Sequence, residues 1–478
     1  MLLTRLAKCG RDSGSALVAV IGVMAVGLIL TTLIATQLVG AMGQSTAARA
    51  GVQSHASADA GIVAARTALF TPGSCVTNGG TYTTTVPPIY TVSVEYNAGA
   101  GWQPGCPTAA ATQVRLLSTG TAQAAGVAGV SSGDKSSVEA VFQYITPGPP
   151  PSGVAMYLYG GAQVESNSSL DLSEGGDTGL IVKDGNFLCD KNNTVINGSI
   201  LIGGDLTFAK TCRITGNAWV SGTATLGSGT IDGNLTAPSV SPNPPGTQVG
   251  GTWATSGPAP DAPDWVNVVY SPADWVFTNA GGNVLPWEVR TVSSTAECAL
   301  PNGTLGGTTL GEPVIINALG CEDGPTATNN TTVKLSSDVV IFANEFSFDG
   351  INSLTFKSAT TASHRLWFIT PDNGAADDNL PTCDDDDQGN FTINNSFAIE
   401  APLAALLYTP CAFDGKNGFT WRGQIYAGQY SLVKNNPVFT FVPVGAAGVD
   451  FTTGEEDEDI ITKPQPGAVV SMRDVNGG

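Results

Sequence analysis

The stretch INGSILIGGDLTFAKTCRITGNAWVSGTATLGSGTIDGNLTA (196–237) repeats one seven-residue pattern. Each copy has an apolar residue, any residue, glycine, a small polar residue, an apolar residue, any residue and an apolar residue. The copies begin at Ile196, Ile202, Ile214, Val220 and Ile231, and the first and third, like the second and fourth, lie 18 residues apart. This period of 18 residues, in three faces of six, predicts one turn of a triangular parallel β-solenoid. An ordinary β-sandwich with glycine turns is the alternative, and the fixed period favours the solenoid.

The solenoid is predicted to occupy 153–237 and, after an interruption, 331–450, where alternating strand patterns resume. We expect Gly with Asn or Asp to turn its corners in left-handed backbone conformations. The Pro/Gly/Trp-rich segment 238–330 is predicted to be an insertion, because its prolines are incompatible with solenoid turns. Buried aromatic rings usually pack against one another, so a local core is favoured there over a sugar-binding platform. The aromatic residues concerned are Trp253, Trp265, Trp275 and Trp287.

The N-terminal region begins with a basic leader, 1–14, followed by SALVAVIGVMAVGLILTTLIATQLVGAM (15–42). No charged residue occurs from Ser15 to Ala48, which exceeds the ~20 apolar residues that a membrane-spanning helix needs. The leader carries three basic residues and one acid, which predicts a cytoplasmic N-terminus and an ectodomain outside the cell membrane. A cleaved secretory signal is the alternative, but its apolar region is normally only ~7–15 residues long.

The predicted fold class is mainly β, with one long N-terminal transmembrane α-helix, a small β-rich head and a parallel β-solenoid ectodomain. The helix covers 15–70 and the small β-rich domain 71–146. A proline linker at 147–152 precedes the solenoid, because consecutive prolines form stiff extended spacers. Residues 451–478 are predicted to be an acidic, solvated tail.

The leader and apolar helix together resemble a prepilin, which is cut after a glycine and keeps its hydrophobic helix. Gly14 and Ser15 match the two sides of that processing site. Ala19 stands where most major pilins have Glu, and SHASADAGIVAARTAL (54–69) resembles the alanine-rich end of the first helix in PilX-like and GspK-like members of the pilin superfamily. The resemblance implies a minor pilin-like protein, with other pilin-like subunits as partners and a surface filament as its location. The repeat at 196–237 also resembles bactofilin-like solenoids, at the level of the repeat pattern.

Nine cysteines are present, and Cys9 lies in the leader. An even number of the remaining cysteines, in an exported protein, predicts a disulfide framework. Eight cysteines allow 105 connectivities, of which pairing between sequence neighbours is the simplest. Zinc binding is the alternative, but the chain has no C-x-x-C spacing and only two histidines. The candidate disulfide cysteines are Cys75 and Cys106, Cys189 and Cys212, Cys298 and Cys321, and Cys383 and Cys411.

The 40 acidic and 20 basic residues give a formal net charge of −20. Phosphates would be repelled by this charge, which argues against nucleic acid as a partner. The acidic run CDDDDQGN (383–390) offers a calcium site of low specificity, because Ca²⁺ prefers carboxylate oxygens. A solvated acidic loop is the favoured interpretation, since four consecutive aspartates point in different directions. The candidate calcium ligands are Asp384, Asp385, Asp386 and Asp387, and we expect no other cofactor.

No catalytic residues are predicted. The two histidines leave few general bases, no G-x-S-x-G elbow is present, and no carboxylate pair has a telling spacing. The sequence therefore favours a structural or interaction role: a minor pilus component, tip subunit or adhesin that contacts other subunits or cell-surface glycans. An anchored or secreted carbohydrate-active β-helix enzyme is the alternative. A bactofilin-like cytoskeletal polymer is a third hypothesis, disfavoured by the membrane helix and the paired cysteines.

Overall fold

The computed structural model describes residues 13–71, 73–108, 110–123, 134–145, 153–165, 169–173, 178–279, 282–309, 311–374, 378–383, 389–394, 396–454 and 465–475. The chain forms two compact units. Unit 1 comprises Met1–Ile145 together with Pro466–Gly478, and unit 2 comprises Thr146–Gln465. Unit 2 is therefore inserted into the sequence of unit 1. The predicted fold class is confirmed: one long N-terminal apolar helix precedes a mainly β structure with parallel sheets.

Unit 1 consists of a long helix and an antiparallel sheet. Its helices are α1 (Ser13–Leu69) and the short α2 (Ser74–Thr77). Its strands are β1 (Thr81–Thr84), β2 (Ile89–Asn97), β3 (Trp102–Pro104), β4 (Gln113–Thr121), β5 (Lys135–Ile145) and the C-terminal β38 (Gln465–Val475). The strand order is β1-β2-β4-β5-β38, with β3 paired to β2.

The C-terminal half of α1 packs on this sheet through small and apolar residues spaced three or four apart, the pattern of one helix face. Ala58, Ile62, Ala65 and Leu69 lie in one buried cluster with inward-facing strand residues such as Val114. The helix approaches closely because Gly120 of β4 has no side chain there; a Cβ atom would lie 2.1 Å from the carbonyl oxygen of Ser54.

Unit 2 is built from short strands, which the chain forms in two arms. The first arm contains β6 (Met156–Leu158), β7 (Ala162–Glu165), β8 (Ser169–Asp171), β9 (Leu180–Val182), β10 (Phe187–Cys189), β11 (Thr194–Asn197), β12 (Ile200–Ile202), β13 (Leu206–Phe208), β14 (Cys212–Ile214), β15 (Ala218–Val220), β16 (Thr223–Thr225), β17 (Thr230–Ile231), β18 (Leu235–Thr236), β19 (Ser239–Ser241) and β20 (Trp253–Ala254). A 3₁₀ turn, Gly246–Gln248, precedes β20.

The second arm follows a connecting segment that holds a 3₁₀ turn (Pro272–Asp274) and the hairpin β21 (Val276–Thr278) and β22 (Val284–Pro286). Its strands are β23 (Glu288–Thr291), β24 (Gly303–Leu305), β25 (Val314–Asn317), β26 (Thr331–Leu335), β27 (Val339–Phe342), β28 (Phe346–Phe348), β29 (Leu354–Ser358), β30 (Arg365–Ile369), β31 (Phe391–Ile393), β32 (Phe397–Ile399), β33 (Ala404–Thr409), β34 (Phe413–Gly415), β35 (Thr420–Ala427), β36 (Ser431–Lys434) and β37 (Val438–Phe441).

Successive strands occupy three faces in turn, and each strand pairs in parallel with the strand one rung further along the stack. Face 1 runs β23-β25-β27-β30-β33-β35-β6-β9-β12-β15-β18-β20, and face 2 runs β28-β31-β34-β36-β7-β10-β13-β16-β19. Face 3 runs β24-β26-β29-β32-β35-β37-β8-β11-β14-β17. The apolar residues of each strand that point inward form one continuous core.

The predicted period is present in the strand register. Ile196 is aligned with Ile214, and Ile202 with Val220, so each pair is separated by one rung of 18 residues. The small polar residue of the motif accepts a hydrogen bond from the next rung: the amide of Asn234 donates to Asn217 Oδ1 at 2.9 Å, and that of Thr252 to Asn234 Oδ1 at 2.8 Å. Each rung thereby satisfies a backbone donor at the corner of the rung that follows.

The prediction that the motif glycines adopt left-handed backbone conformations at the corners is wrong for most copies of the motif. Only Gly198 among the five motif glycines has a positive φ, 137°. The others are required by close contact between rungs: Gly216 donates its amide to the carbonyl of Gly198 at 3.0 Å, and a Cβ atom on it would lie 2.6 Å from that oxygen. Gly233 repeats this contact against Gly216. The glycine column is therefore a packing feature.

The two arms meet in the middle of the stack. The last rung of the second arm pairs with the first rung of the first arm through β35–β6, β36–β7 and β37–β8, with Tyr426 aligned with Tyr157. The chain thus enters the stack at its centre, winds to one end, crosses outside to the other end and winds back. We refer to this junction as the seam.

The structure departs from two predicted boundaries. Segment 238–330, predicted as an insertion, contributes β19, β20 and β23–β25 to the parallel sheets, and only its middle part leaves them. The predicted tail 451–478 contains β38, which pairs with β5 in unit 1. Arg473 of β38 donates from Nε to Glu139 Oε1 of β5 at 2.9 Å.

Replacement of Gly216 by Ala tests the glycine column. The added methyl group would overlap the carbonyl of Gly198, so we expect unfolding of unit 2 to become easier by about 1–3 kcal/mol, the usual cost of overpacking. Gly303→Ala is the matched control, because a Cβ atom there meets nothing within 4 Å. Equal denaturation midpoints for the two variants would contradict the close contact.

Candidate functional surfaces

The N-terminal half of α1 carries an apolar surface with no protein contact. Val23 is 74% exposed and Val39 is 70% exposed, and the most apolar window of the helix is entirely unburied, with mean hydropathy 2.7. By length and composition this helix could cross a membrane. Its apolar part, 16–42, spans about 40 Å at ~1.5 Å per residue, against ~30 Å for a hydrocarbon core. The chain therefore has an N-terminal apolar helix suited to a membrane anchor.

The predicted processing residues lie at the beginning of this helix. Gly14 and Ser15 fall within α1, which starts at Ser13. The basic residues of the leader lie outside the described part of the chain. Cleavage between Gly14 and Ser15 stays a prediction.

Four disulfides join cysteines that are neighbours in sequence order. Cys75–Cys106 lies in unit 1, and Cys189–Cys212, Cys298–Cys321 and Cys383–Cys411 lie in unit 2. Cys189 ends β10 and Cys212 begins β14, so this bond joins one rung to the next. All eight candidate cysteines are thus paired with each other and none is available as a zinc ligand.

The segment that connects the two arms, 255–287, lies along the outside of face 1, and we call it the strap. Trp219 Nε1 donates to the carbonyl of Pro258 at 3.1 Å, and Tyr157 OH donates to that of Pro263 at 2.8 Å. Further along, Tyr408 OH donates to the carbonyl of Val266 at 2.8 Å. These contacts follow the rungs in order from the first arm to the second. The strap therefore ties both arms and the seam together.

The strap covers a second apolar core on the outer side of face 1. Its members from the sheet point outward, away from the axis, and include Ile181, Ile315, Phe342, Trp367 and Tyr408. Trp265, Trp275 and Trp287 from the strap region are each at least nine-tenths buried against them. Trp275 and Trp367 meet edge to face with ring centroids 5.1 Å apart. Three of the four tryptophans are consequently core residues with no face free for sugars.

Asp372 fixes the strap through a buried carboxylate. Its Oδ2 accepts from Trp265 Nε1 at 2.8 Å and its Oδ1 accepts from the Gly374 amide at 3.0 Å, while its own amide donates to the carbonyl of Val268. Burial raises the pKa of the Asp372 carboxyl, and the N–H donors act against that rise. Asp372 was not among the residues predicted from the sequence. It is a single acidic residue that follows the apolar strand β30, and this position is the sequence signal that could have identified it.

A small cavity lies between the strap and the seam, lined by Tyr157, Trp265, Tyr408, Tyr426 and Phe451 among others. Its volume is about 10 Å³, which is roughly the space of one water molecule. A space of this size is too small for a substrate.

The candidate calcium ligands Asp384–Asp387 lie outside the described residues, and calcium binding stays a prediction. Within the described ranges, no group of three or more His, Cys, Asp or Glu side chains could hold a metal ion. Asp349, one of the carboxylates on a strand end, is paired with Lys416 Nζ at 2.6 Å, and this hydrogen bond lowers the Asp349 pKa. That carboxylate is thereby committed to an ion pair.

Face 3 of the second arm carries basic side chains. Lys334 on β26 is directly aligned with Lys357 on β29, and Arg422 lies on β35, two strands further. The Arg422 guanidinium donates to the carbonyl of Leu403 at 3.1 Å. The sequence places these residues far apart, so only the register brings them to one surface.

No protein-family model matches this chain, and no curated protein matches it. Among solved structures, the competence-associated pilin ComZ from Thermus thermophilus is similar at 12% identity, with a TM-score of 0.24; the match covers 89% of this chain and 97% of that chain. A TM-score of this size does not establish a common fold.

Substitution of Trp265 tests the strap. Trp265→Ala removes a large buried side chain, and we expect unit 2 to lose about 3–5 kcal/mol of stability. Trp265→Phe keeps an aromatic side chain but leaves the Asp372 carboxylate without one donor, for an expected loss of about 1–3 kcal/mol. Chemical denaturation followed by circular dichroism measures both. Trp102→Ala in unit 1 is the control, and a parent-like transition in both Trp265 variants would show that the strap does not stabilise unit 2.

Two arginines in the apolar half of α1 test the membrane anchor. Val23→Arg with Leu30→Arg should cost about 5–7 kcal/mol of insertion free energy, at ~2.5–3.5 kcal/mol each. The leucines, isoleucines and valines of this segment favour insertion by only about 3–6 kcal/mol in total. We therefore expect the variant to leave the membrane fraction. Val52→Arg with Val63→Arg is the control, because these valines are also exposed but lie in the C-terminal half of α1. Identical fractionation of the two double variants would refute the membrane anchor.

Proposed function

We propose that this chain is a membrane-anchored, pilin-like protein of the cell surface with a structural or interaction role and no enzymatic activity. The observation that carries this proposal is the division of α1. One continuous helix of 57 residues has an N-terminal half that is exposed and apolar and a C-terminal half with one face buried against an antiparallel sheet. A helix that serves both as a membrane anchor and as the spine of a globular head is the arrangement that the sequence resemblance to pilins implies.

The charge pattern supports the direction of insertion. The three basic residues of the leader precede the apolar half, and after Asp12 of the leader the next charged residue is Arg49. The positive-inside bias then leaves the sheet of unit 1 and all of unit 2 outside the cytoplasm. The disulfides fit this location, because such bonds persist in oxidising compartments.

Unit 2 is the part that we assign to interaction. It is inserted between β5 and β38, neighbouring strands of the sheet in unit 1, so it is carried by the anchored unit through two chain connections. Its long faces of short polar side chains suit contacts with other subunits or with glycans. A minor pilus component, a tip subunit and an adhesin are the roles that this arrangement supports.

The mature N-terminus and the cellular fraction of the native protein test the proposal. We expect terminal sequencing to find Ser15 as the first residue, in membrane or sheared-filament fractions. An intact Met1 in the membrane would leave an anchored surface protein and remove the pilin-like assignment. A start beyond Met42 in the culture medium would overturn both parts of the proposal.

A pair of variants sharpens the processing test. Gly14→Asp places a side chain and a charge at the residue that precedes the cut, so we expect the leader to be retained. Gly10→Asp adds the same charge four residues earlier and should be processed normally. Intact mass measurement of both proteins distinguishes them, and equal processing would place the cut elsewhere.

A further inference from the structure

The cations on face 3 of the second arm lie in a short ladder along the stack. Lys334 and Lys357 are in direct register on adjacent parallel strands, about 4.8 Å apart along the stack. The amide of Glu400 bonds the carbonyl of Phe356 at 2.9 Å, which places Glu400 beside Lys357 and between it and Arg422. Three of the twelve Lys and Arg residues of unit 2 thus lie on one surface.

The face 3 lysines differ in their partners from one other stacked pair of unit 2, Lys416 and Lys434. On face 2, Lys416 lies beside Lys434, and each has a carboxylate: Asp349 is 2.6 Å from Lys416 Nζ and Glu165 is 3.8 Å from Lys434 Nζ. Among the described residues, no carboxylate lies within 4 Å of the nitrogens of Lys334, Lys357 or Arg422. Like charges opposite each other on neighbouring strands destabilise a sheet. The Lys334–Lys357 contact therefore carries an electrostatic cost that a bound anion would remove, whereas the carboxylate of Glu400 lies between Lys357 and Arg422.

The rest of this surface is made of hydroxyl groups. Ala398 of β32 and Val438 of β37 interrupt these hydroxyls, and no aromatic side chain is among the outward positions on the strands of face 3 from β24 to β37. Five of these outward positions are threonines: Thr304, Thr332, Thr355, Thr420 and Thr440. Hydroxyls spaced by one rung match a ligand that offers hydroxyls at similar intervals, and the cations match carboxylates set among them. An extended chain of acidic sugars has this chemistry, with a repeat close to the spacing of the rungs.

We propose that face 3 of the second arm binds an acidic polysaccharide that lies along the stack, with sugar carboxylates at Lys334, Lys357 and Arg422. This surface favours a polyuronate over a nucleic acid. Three cations, with no outward-facing aromatic side chain on these strands, are poorly matched to a dense phosphate backbone, and the net charge of −20 opposes binding of nucleic acid. At physiological salt, charges more than about 8 Å away are largely screened, so the local cations govern the contact with a sparsely charged chain.

This inference names the partner class of the proposed function and rests on it in one respect, that unit 2 faces outside the cell. The two are separable, because binding by the purified full-length protein in detergent does not depend on processing or on filaments. A failure to bind would leave the anchor and the N-terminal processing unaffected.

The test is binding of polygalacturonate to the full-length protein, with neutral dextran and double-stranded DNA as comparison probes. The double variant Lys334→Gln with Lys357→Gln should bind polygalacturonate about tenfold more weakly, since exposed ion pairs contribute a few-fold each. The matched control is Lys191→Gln with Lys210→Gln, two exposed lysines at a corner of neighbouring rungs that change the net charge equally. The control should bind as the parent does.

Thermal unfolding supplies a second measurement, which distinguishes ligand binding by these lysines from a purely structural role. Without ligand, the Lys334 and Lys357 variant should melt at or above the temperature of the parent, because a like-charge contact is removed. Polygalacturonate should raise the melting temperature of the parent and the control more than that of this variant. Equal weakening in the control pair, binding of dextran as tight as polygalacturonate, tighter binding of DNA, or no binding at all would each overturn the proposal.

Discussion

The seam between β35–β37 and β6–β8 is the interaction on which unit 2 depends. Three parallel strand pairs join residues more than 260 positions apart in sequence, for example Ile425 with Met156. The buried side chain of Gln424 completes the junction, because its Nε2 donates to the carbonyl of Val154 while its Oε1 accepts from the amides of Val444 and Gly445. Without this pairing, each arm would end in an unpaired strand edge at the point where the chain enters and leaves.

The strap follows from the same geometry. Because the chain begins in the middle of the stack, it must cross from one end to the other before it can wind back to the seam. That crossing covers the outward side of face 1, which is why the strands there are apolar on both sides. A stack wound continuously from one end would have needed no such crossing and would have left face 1 polar on its outer side.

The repeat at 196–220 was predictable because its rungs are short and uniform, and its register agrees with the period. For the second arm, a solenoid was predicted over 331–450, but the strand register was not, because the rungs vary in length: Val314 aligns with Val339, but Leu366 aligns with Ala405, with the acidic loop between them. The seam has no local signature at all. The strap did leave a local signature in the face 1 strands that it covers. These strands contain continuous apolar runs, a pattern typical of strands buried on both faces: MYL (156–158), LIV (180–182) and VVIF (339–342). Of the candidate sites, the anchor and the cysteine pairs depend on local sequence and could be predicted, whereas the face 3 ladder depends on register and could not.

The two ends of unit 2 lie at the centre of its stack, and this position affects how the number of rungs can change between descendants. Gly153 lies against the backbone of Phe451, so the ends of the inserted unit are adjacent. A unit with adjacent ends can be placed between two neighbouring strands of a host sheet without forcing them apart. Rungs can then be added or lost at either far end of the stack, where no connection to the host is made. The length of each arm can then differ between descendants, provided that the strap changes length with it, while the attachment to the anchored unit stays the same.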